Sequence, residues 1–329
     1  MRTRLAAAFI LCLSAPVWAQ NTSDIEQIGD TNTAEVEQLH AISSNNDSRI
    51  RQEGEGNQAR VLQEAVPALA NSDINQLGQN NEATVQQSGE RIFQTVVIGQ
   101  AGSGNLAESI QSGLEGGNTL HASQNGGDNR ASADQNAEFG SNNAVIGQDG
   151  DANAADLIQH GGFGGNDASI QQAGAANRAE VSQSAAGAGN NSILSQVGTD
   201  NGAVVDQFAG HANNMSTLSQ LGDGNTAHVE QHSSFSSLQI PFEAGNVSTI
   251  EVEGNGNDTT VMQTGGSPSG HAGFAGQNLS DIQVNGLSNT VGVMQSIETV
   301  SGASAGSNSS VVTINGSGNT TTVSQSFAP

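Results

Sequence analysis

Apolar and polar side chains alternate along most of this chain in segments of about seven residues. In one segment Asn166, Ala168, Ile170 and Gln172 share one parity while Asp167, Ser169 and Gln171 take the other. Past Gly174 the alternation resumes at Asn177, Ala179, Val181 and Gln183. A period of two is that of a β-strand, whose successive side chains point to opposite faces, and the segments are too short and too β-branched for helices. The pattern starting at Asn118 returns at Asn142, Asn166, Asn190 and Asn214, a step of 24 residues each time. Each copy divides into a seven-residue segment, a four-residue connection, a second such segment and a six-residue connection. One copy cannot bury its own faces, but stacked copies share a continuous core. The repeat therefore predicts an all-β fold, an amyloid-like β-solenoid (β-helix) of about twelve strand-arc-strand rungs of roughly 24 residues each.

Three columns of that stack are unbroken. The first is an arc glycine, at Gly29, Gly54, Gly78, Gly102, Gly126, Gly150, Gly174, Gly198, Gly222, Gly254, Gly286 and Gly316, where a tight bend favours positive φ. The second is an asparagine opening the second strand: Asn32, Asn57, Asn81, Asn105, Asn129, Asn153, Asn177, Asn201, Asn225, Asn257, Asn289 and Asn319. The third is a glutamine closing that strand: Gln38, Gln63, Gln87, Gln111, Gln135, Gln159, Gln183, Gln207, Gln231, Gln263, Gln295 and Gln325. These amides share the face of the apolar Ala and Val, so they are expected to point inward. A buried amide is costly unless its donors and acceptors are satisfied, and identical amides stacked about 4.8 Å apart can satisfy one another. The Asn and Gln columns and the arc glycines are the predicted assembly determinants. They carry no catalytic role.

Departures from the pattern are confined. In the last three copies the first-strand Gln becomes Val252, Val284 and Ile314, and the outer connections lengthen at 232–245, 264–277 and 296–307. Ala70 and Gln94 replace the asparagine that opens the first strand of the third and fourth copies.

Residues 1–19 are of another kind. Arg2 and Arg4 precede an apolar run from Leu5 to Leu13, and Val17-Trp18-Ala19 has the form of a signal-peptidase site, so 1–19 reads as a Sec signal peptide and 20–329 as the repeat domain. Cys12 and Trp18, the sole Cys and Trp, fall in the leader. The mature chain is then without a thiol, a disulfide or a Cys-ligated metal. Without Arg2 and Arg4, six basic residues face the 32 acidic ones, a formal charge of −26, and Lys is absent. That field argues against nucleic acid and against an anionic membrane as partner, and no other segment reaches the length of a membrane span.

The copy Gln52, Gly54, Asn57, Ala59, Gln63 carries the Q-x-G-x-x-N-x-A-x-x-x-Q core of the curlin repeat, and in this the chain resembles the curlin family, whose members build curli, the amyloid fibres of bacterial biofilms. The resemblance spans essentially the whole of 20–329. It differs in opening most copies on Asn, as at Asn46 and Asn142, where the family pattern has Ser. It implies a fibre subunit secreted by a Gram-negative cell and located in extracellular surface fibres, for biofilm matrix, adhesion and surface coating. It also implies a homopolymer built end to end, a nucleating curlin-like subunit and a curli-type outer-membrane export pore as partners. Neither a cofactor nor a metal is expected, and neither nucleic-acid binding nor membrane insertion.

The first rung is expected to begin at the mature N-terminus and the last to end four residues before Pro329, leaving both solenoid mouths uncapped. Repulsion between acidic molecules predicts faster growth at higher ionic strength and at mildly acid pH. The rival class is a monomeric solenoid, a surface adhesin or an ice-binding protein, for which Thr320 and Thr322 give only a fragment of a threonine row. Calcium at arcs such as Gly222-Asp223-Gly224-Asn225 lacks the nine-residue repeat that usually accompanies it. Gly302-Ala303-Ser304-Ala305-Gly306 satisfies the G-x-S-x-G expression without its strand-turn-helix setting. The histidines, among them His40, His121, His160 and His271, show no ligand spacing. Arg130 and Arg178 are expected to pair with nearby acids. An enzyme is not expected, because no nucleophile, base and orienting group recur together.

Overall fold

The computed structural model describes residues 21–40, 45–66, 69–91, 93–210, 212–235, 245–267, 277–298 and 307–327. The chain divides into two compact units, Met1–Gly161 and Gly162–Pro329. Unit 1 contains β1 (Thr22–Ile28), β2 (Thr33–His40), β3 (Asp47–Glu55), β4 (Gln58–Val66), β5 (Leu69–Gln79), β6 (Glu82–Glu90), β7 (Phe93–Ser103), β8 (Leu106–Gly113), β9 (Gly117–Gly127), β10 (Arg130–Ala137), β11 (Ser141–Asp151) and β12 (Ala154–Gly161). Unit 2 contains β13 (Asn166–Ala175), β14 (Arg178–Ala185), β15 (Asn190–Thr199), β16 (Gly202–Ala209), β17 (Asn214–Leu221), β18 (Thr226–Phe235), β19 (Asn246–Asn255), β20 (Asp258–Ser267), β21 (Asn278–Leu287), β22 (Thr290–Glu298), β23 (Asn308–Asn315) and β24 (Thr320–Phe327). In each unit the odd strands form one parallel sheet and the even strands another. Each turn gives one strand to each sheet. The described residues contain no helix, and both units are β-solenoids.

Register is set by like on like. Ile74 lies beside Ile50 and Ile98, and Gln76 beside Gln52 and Gln100. The offset is 25 residues between β1 and β3 and 24 through the rest of unit 1. Unit 2 begins at 24, then lengthens to 32 and finally to 30. The extra residues enter the outer connections. Strands β18, β20 and β22 continue partway into the connections anticipated at 232–245, 264–277 and 296–307. Residues 236–244, 268–276 and 299–306 lie outside the described residues, as do the leader 1–19 and the G-x-S-x-G match at 302–306.

The core is a thin sandwich of Ile, Val, Leu and Ala. Ile50, Ile74, Ile98, Ile146, Ile170, Leu194, Leu218, Ile250 and Ile282 are fully buried in the first sheet, and each contributes about 1.5–3 kcal/mol of hydrophobic stabilisation. Positions equidistant from the arc face each other, as when Gln76 Nε2 reaches Asn81 O at 3.1 Å. Size is balanced across that gap. Leu120 is matched with Ala133 and, one turn later, Ala144 with Leu157, all four buried. No aromatic side chain is buried among the described residues, which fits a tube too narrow for a ring.

The four-residue connection read from the sequence is kept at 29–32, 222–225 and 316–319, and the other nine arcs are tighter. The first strand keeps its ladder through the arc glycine, so that Gly78 pairs with Gly102 and Gln79 with Ser103, leaving two residues, Asn80 and Asn81, before β6. All twelve arc glycines have positive φ, from 110° at Gly29 to 137° at Gly286. Steric closeness adds a second reason for glycine. A Cβ at Gly54, Gly78 or Gly102 would land on the carbonyl oxygen of the next turn's glycine. A further left-handed residue precedes each inward Asn, for example Asn80 at φ 54°, Asp128 at 55°, Ala152 at 57°, Ala176 at 55° and Gly224 at 62°. Its N–H donates to the previous arc, as from Asn80 to Glu55 O at 2.9 Å.

Candidate functional site: amide ladders and end faces

Each predicted column of amides is a continuous hydrogen-bonded ladder within its unit, and the two kinds of ladder run in opposite senses. Within each unit the second-strand Gln residues donate from Nε2 towards the C-terminus, onto Oε1 of the Gln one turn on. The distances run from 2.8 Å for Gln38 to Gln63 to 3.0 Å for Gln87 to Gln111 in unit 1. In unit 2 they include 2.7 Å for Gln207 to Gln231 and 2.8 Å for Gln295 to Gln325. Within each unit the second-strand Asn residues donate the other way, as from Asn81 Nδ2 to Asn57 Oδ1 at 3.0 Å and from Asn319 to Asn289 at 3.0 Å. The same Oδ1 also accepts the backbone N–H of the next Asn, at 3.1 Å for Asn81 onto Asn57.

The remaining valences are filled locally. The second hydrogen of Asn57 Nδ2 goes to Gly78 O at 2.9 Å, tying the Asn ladder to the arc column. Gln63 Nε2 also donates to Ala70 O at 2.9 Å and to Asp47 O at 3.1 Å, tying the second strand to the first. At Asn57 and Gln63 both hydrogens and the carbonyl are used, so hydrogen bonding offsets the cost of burying them completely. A one-residue slip would break every such bond, so the ladders fix the register while the aliphatic residues supply more of the stability.

A first-strand Gln ladder runs alongside, from Gln27 to Gln52 at 2.7 Å through Gln124 to Gln148 at 2.8 Å in unit 1, and from Gln172 to Gln196 to Gln220 at 2.9 Å in unit 2. It stops at Val252, and Gln220 Nε2 rests on Gly202 O at 3.1 Å. The first-strand Asn column also donates backwards, as from Asn142 to Asn118 at 3.0 Å. It is broken where the sequence is. Asn46, one turn before Ala70, is buried with neither Nδ2 nor Oδ1 bonded, and Gln94 Oε1 is likewise unpaired.

The end turns differ from the rest. Strands β1 and β2 lie at an edge of their sheets in unit 1 and β23 and β24 at an edge of theirs in unit 2, and Asn32, Gln38, Asn319 and Gln325 are not fully buried. Gln38 and Gln27 accept nothing on Oε1 among the described residues, and Asn32 N–H is not donated. At the other end, among the described residues, Asn319 Oδ1 accepts nothing and Gln325 Nε2 has one partner, Ser309 O at 2.8 Å. The outward side chains contrast as well. Asp24, Glu26, Glu35 and Glu37 edge the first turn, whereas Val311, Thr313, Thr320, Thr322 and Ser324 edge the last.

The other candidates are at the surface. Arg178 pairs with Glu180 at 3.8 Å, as expected. Arg130 forms no ion pair among the described residues, because its ladder neighbours are Leu106 and Ala154. Arg51 bridges Glu26 at 3.7 Å and Glu53 at 3.0 Å, and Arg60 meets Glu35 at 3.5 Å. These pairs are solvent-exposed and contribute about 0–1 kcal/mol each. In the arc at Gly222, Asp223 Oδ1 accepts Thr199 N–H at 2.9 Å and so serves as a bridge between turns. Among the described residues no three His, Cys, Asp or Glu are grouped as a metal site.

Two features escaped the sequence reading. The left-handed column before each Asn could have been found from its excess of Gly, Asp and Asn, although Thr31, Ala152, Ala176 and Ser288 interrupt it. In unit 2 the hydroxyls of Ser192, Ser216, Ser248, Ser280 and Ser310 are buried in one column with no hydrogen-bond partner. The fold and its ladders define a β-solenoid repeat protein with an amide-lined interior. The chain matches no protein-family model and no curated protein.

Proposed function

We propose that the protein is a secreted structural subunit that polymerises end to end into curli-like amyloid fibres, serving biofilm matrix, adhesion and surface coating. The observation that carries this reading is the complementarity of the two end turns. The last turn offers a Gln325 Nε2 hydrogen and the Asn319 Oδ1 acceptor. The first offers the Gln38 Oε1 acceptor and the Asn32 N–H donor, and Asn32 Nδ2, which now donates to Gly54 O at 2.9 Å and Ile28 O at 3.2 Å, would exchange the longer of these bonds for the ladder bond. These are the groups that pair at every internal step of the second-strand ladders, with the same polarity. A junction of this kind is heterologous and does not close on itself, so it produces a filament.

The leader at 1–19 supports export through the Sec route, and the curlin-like repeat supports a Gram-negative surface location. A nucleating chain of the same repeat and an outer-membrane pore are the partners this reading requires.

The test uses residues 20–329 purified under denaturing conditions and diluted into buffer. Amyloid-dye fluorescence should rise, and the product should diffract at about 4.8 and 10 Å. A monodisperse monomer after prolonged incubation at high concentration overturns the reading.

A further inference from the structure

Resting on the end-to-end reading, we infer that the junction between two copies is matched in its second-strand half and mismatched at one point of its first-strand half, Gln27 against Ile314, and that this mismatch throttles self-addition. Continuing the observed registers across the junction places Asn32 on Asn319, Val36 on Val323 and Gln38 on Gln325, each like on like. In the first strand it places Ile25 on Val312, also matched. It then places the carboxamide of Gln27 on the side chain of Ile314, which is 6% exposed and caps an apolar run with Val252 and Val284.

The direction of the ladder makes this polar contact unfavourable. Gln27 already spends Nε2 on Gln52 Oε1 at 2.7 Å, and from Gln52 to Gln148 each Gln of the column accepts from the one before it. Gln27 Oε1 is the one member of that ladder in unit 1 with no preceding donor. In the free chain water hydrates it, but in the junction an isoleucine would cover it. An acceptor desolvated without a partner opposes association. The internal step from Gln220 to Val252 ends the ladder at its other pole: Gln220 Oε1 keeps its donor, Gln196, and Gly202 O takes the hydrogen equivalent to the one that Gln196 gives to Arg178 O, so what is left over there is one Nε2 hydrogen and not an acceptor.

A substitution cycle tests the inference through elongation of preformed seeds. Val252→Gln/Val284→Gln/Ile314→Gln extends the donor column to the end face. Gln27→Leu removes the acceptor instead. Each makes the contact like on like, and each should elongate about tenfold faster than the parent, the factor that one unmatched buried acceptor commands. The combined variant restores a mismatch, Leu against Gln, and should fall back to about the parent rate. Elongation that is no faster in either variant, or fastest in the combined one, overturns the mismatch. If circular dichroism shows that the triple variant has not folded, Gln27→Leu decides alone: faster growth supports the mismatch, and equal or slower growth refutes it. Failure of the parent to elongate at all is a separate result, which removes the end-to-end reading itself.

Discussion

Asn46 and Ala70 occupy successive turns of one column, and the buried Asn46 Oδ1 is unbonded because Ala70 has no amide to donate to it. Elsewhere in this column the later Asn donates to the earlier, as Asn142 does to Asn118 at 3.0 Å. Ala70→Asn together with Gln94→Asn would connect Asn46 to Asn118 and give Asn46 Oδ1 its missing donor. The double variant should be more stable by about 1–2 kcal/mol, read as a higher urea midpoint with an unchanged slope. An unchanged midpoint would mean that the gap is harmless.

The left-handed residue before each inward Asn gives a second prediction. Ala152 and Ala176 hold φ of 57° and 55°, a conformation that costs an L-residue about 1–2 kcal/mol and glycine almost nothing. Ala176→Gly should therefore stabilise by roughly 0.5–1 kcal/mol, the more flexible unfolded chain offsetting part of the gain. The opposite change at an arc, Gly102→Ala, adds backbone strain at φ 113° and drives a Cβ into Gly126 O. It should prevent cooperative refolding. At Gly316 the steric part is missing, the nearest atom to a Cβ being Asn319 Nδ2 at 3.4 Å, so Gly316→Ala should cost only the strain, about 1–3 kcal/mol. Chemical melts of the three variants rank them.

Much of this was legible in the residues because a stack of identical rungs places each side chain beside its own kind. Writing the repeats under one another is then equivalent to reading the sheet register, and the inward parity of Asn57, Ile74 or Gln111 follows from alternation alone. Direction was not legible. Nothing in a row of glutamines says that Gln donates forwards and Asn backwards, because that depends on the hand of the arc and on which carbonyl, Gly78 O or Ala70 O, takes the second hydrogen. The left-handed column was hidden by chemistry, since Thr31 and Ala152 obey the backbone without advertising it. The pairing expected for Arg130 failed because it needed a neighbour's identity across the ladder, and the neighbours there are aliphatic.

The serine column of unit 2 yields a third prediction. Ser216 and Ser248 bury hydroxyls that bond to nothing in the protein, at the place where Ala168 fills the first turn of the unit. Replacing an unsatisfied buried hydroxyl by a methyl-sized group removes a desolvation cost of about 1–3 kcal/mol. Ser216→Ala and Ser248→Ala should each raise the thermal midpoint by a few degrees. Destabilisation would show that these hydroxyls are satisfied in solution.

Charge should control the rate of fibre growth, with a salt profile set by where the acids lie. Residues 20–329 carry a formal −26, so two molecules repel at long range. At close range the first turn is less hostile, because Arg51 and Arg60 sit 3.7 and 3.5 Å from Glu26 and Glu35, and the last turn is edged by Thr and Ser. Long-range repulsion is what salt removes: the Debye length falls from about 30 Å at 0.01 M to about 10 Å at 0.1 M and 3 Å at 1 M. Elongation should therefore rise steeply between about 0.01 and 0.1 M salt and level off well below 1 M. Glu37, which has no basic partner, gives the local control. Glu37→Gln should speed elongation at low salt and have little effect at high salt. Slower growth with added salt, or a Glu37→Gln effect independent of salt, would show that charge does not set the barrier.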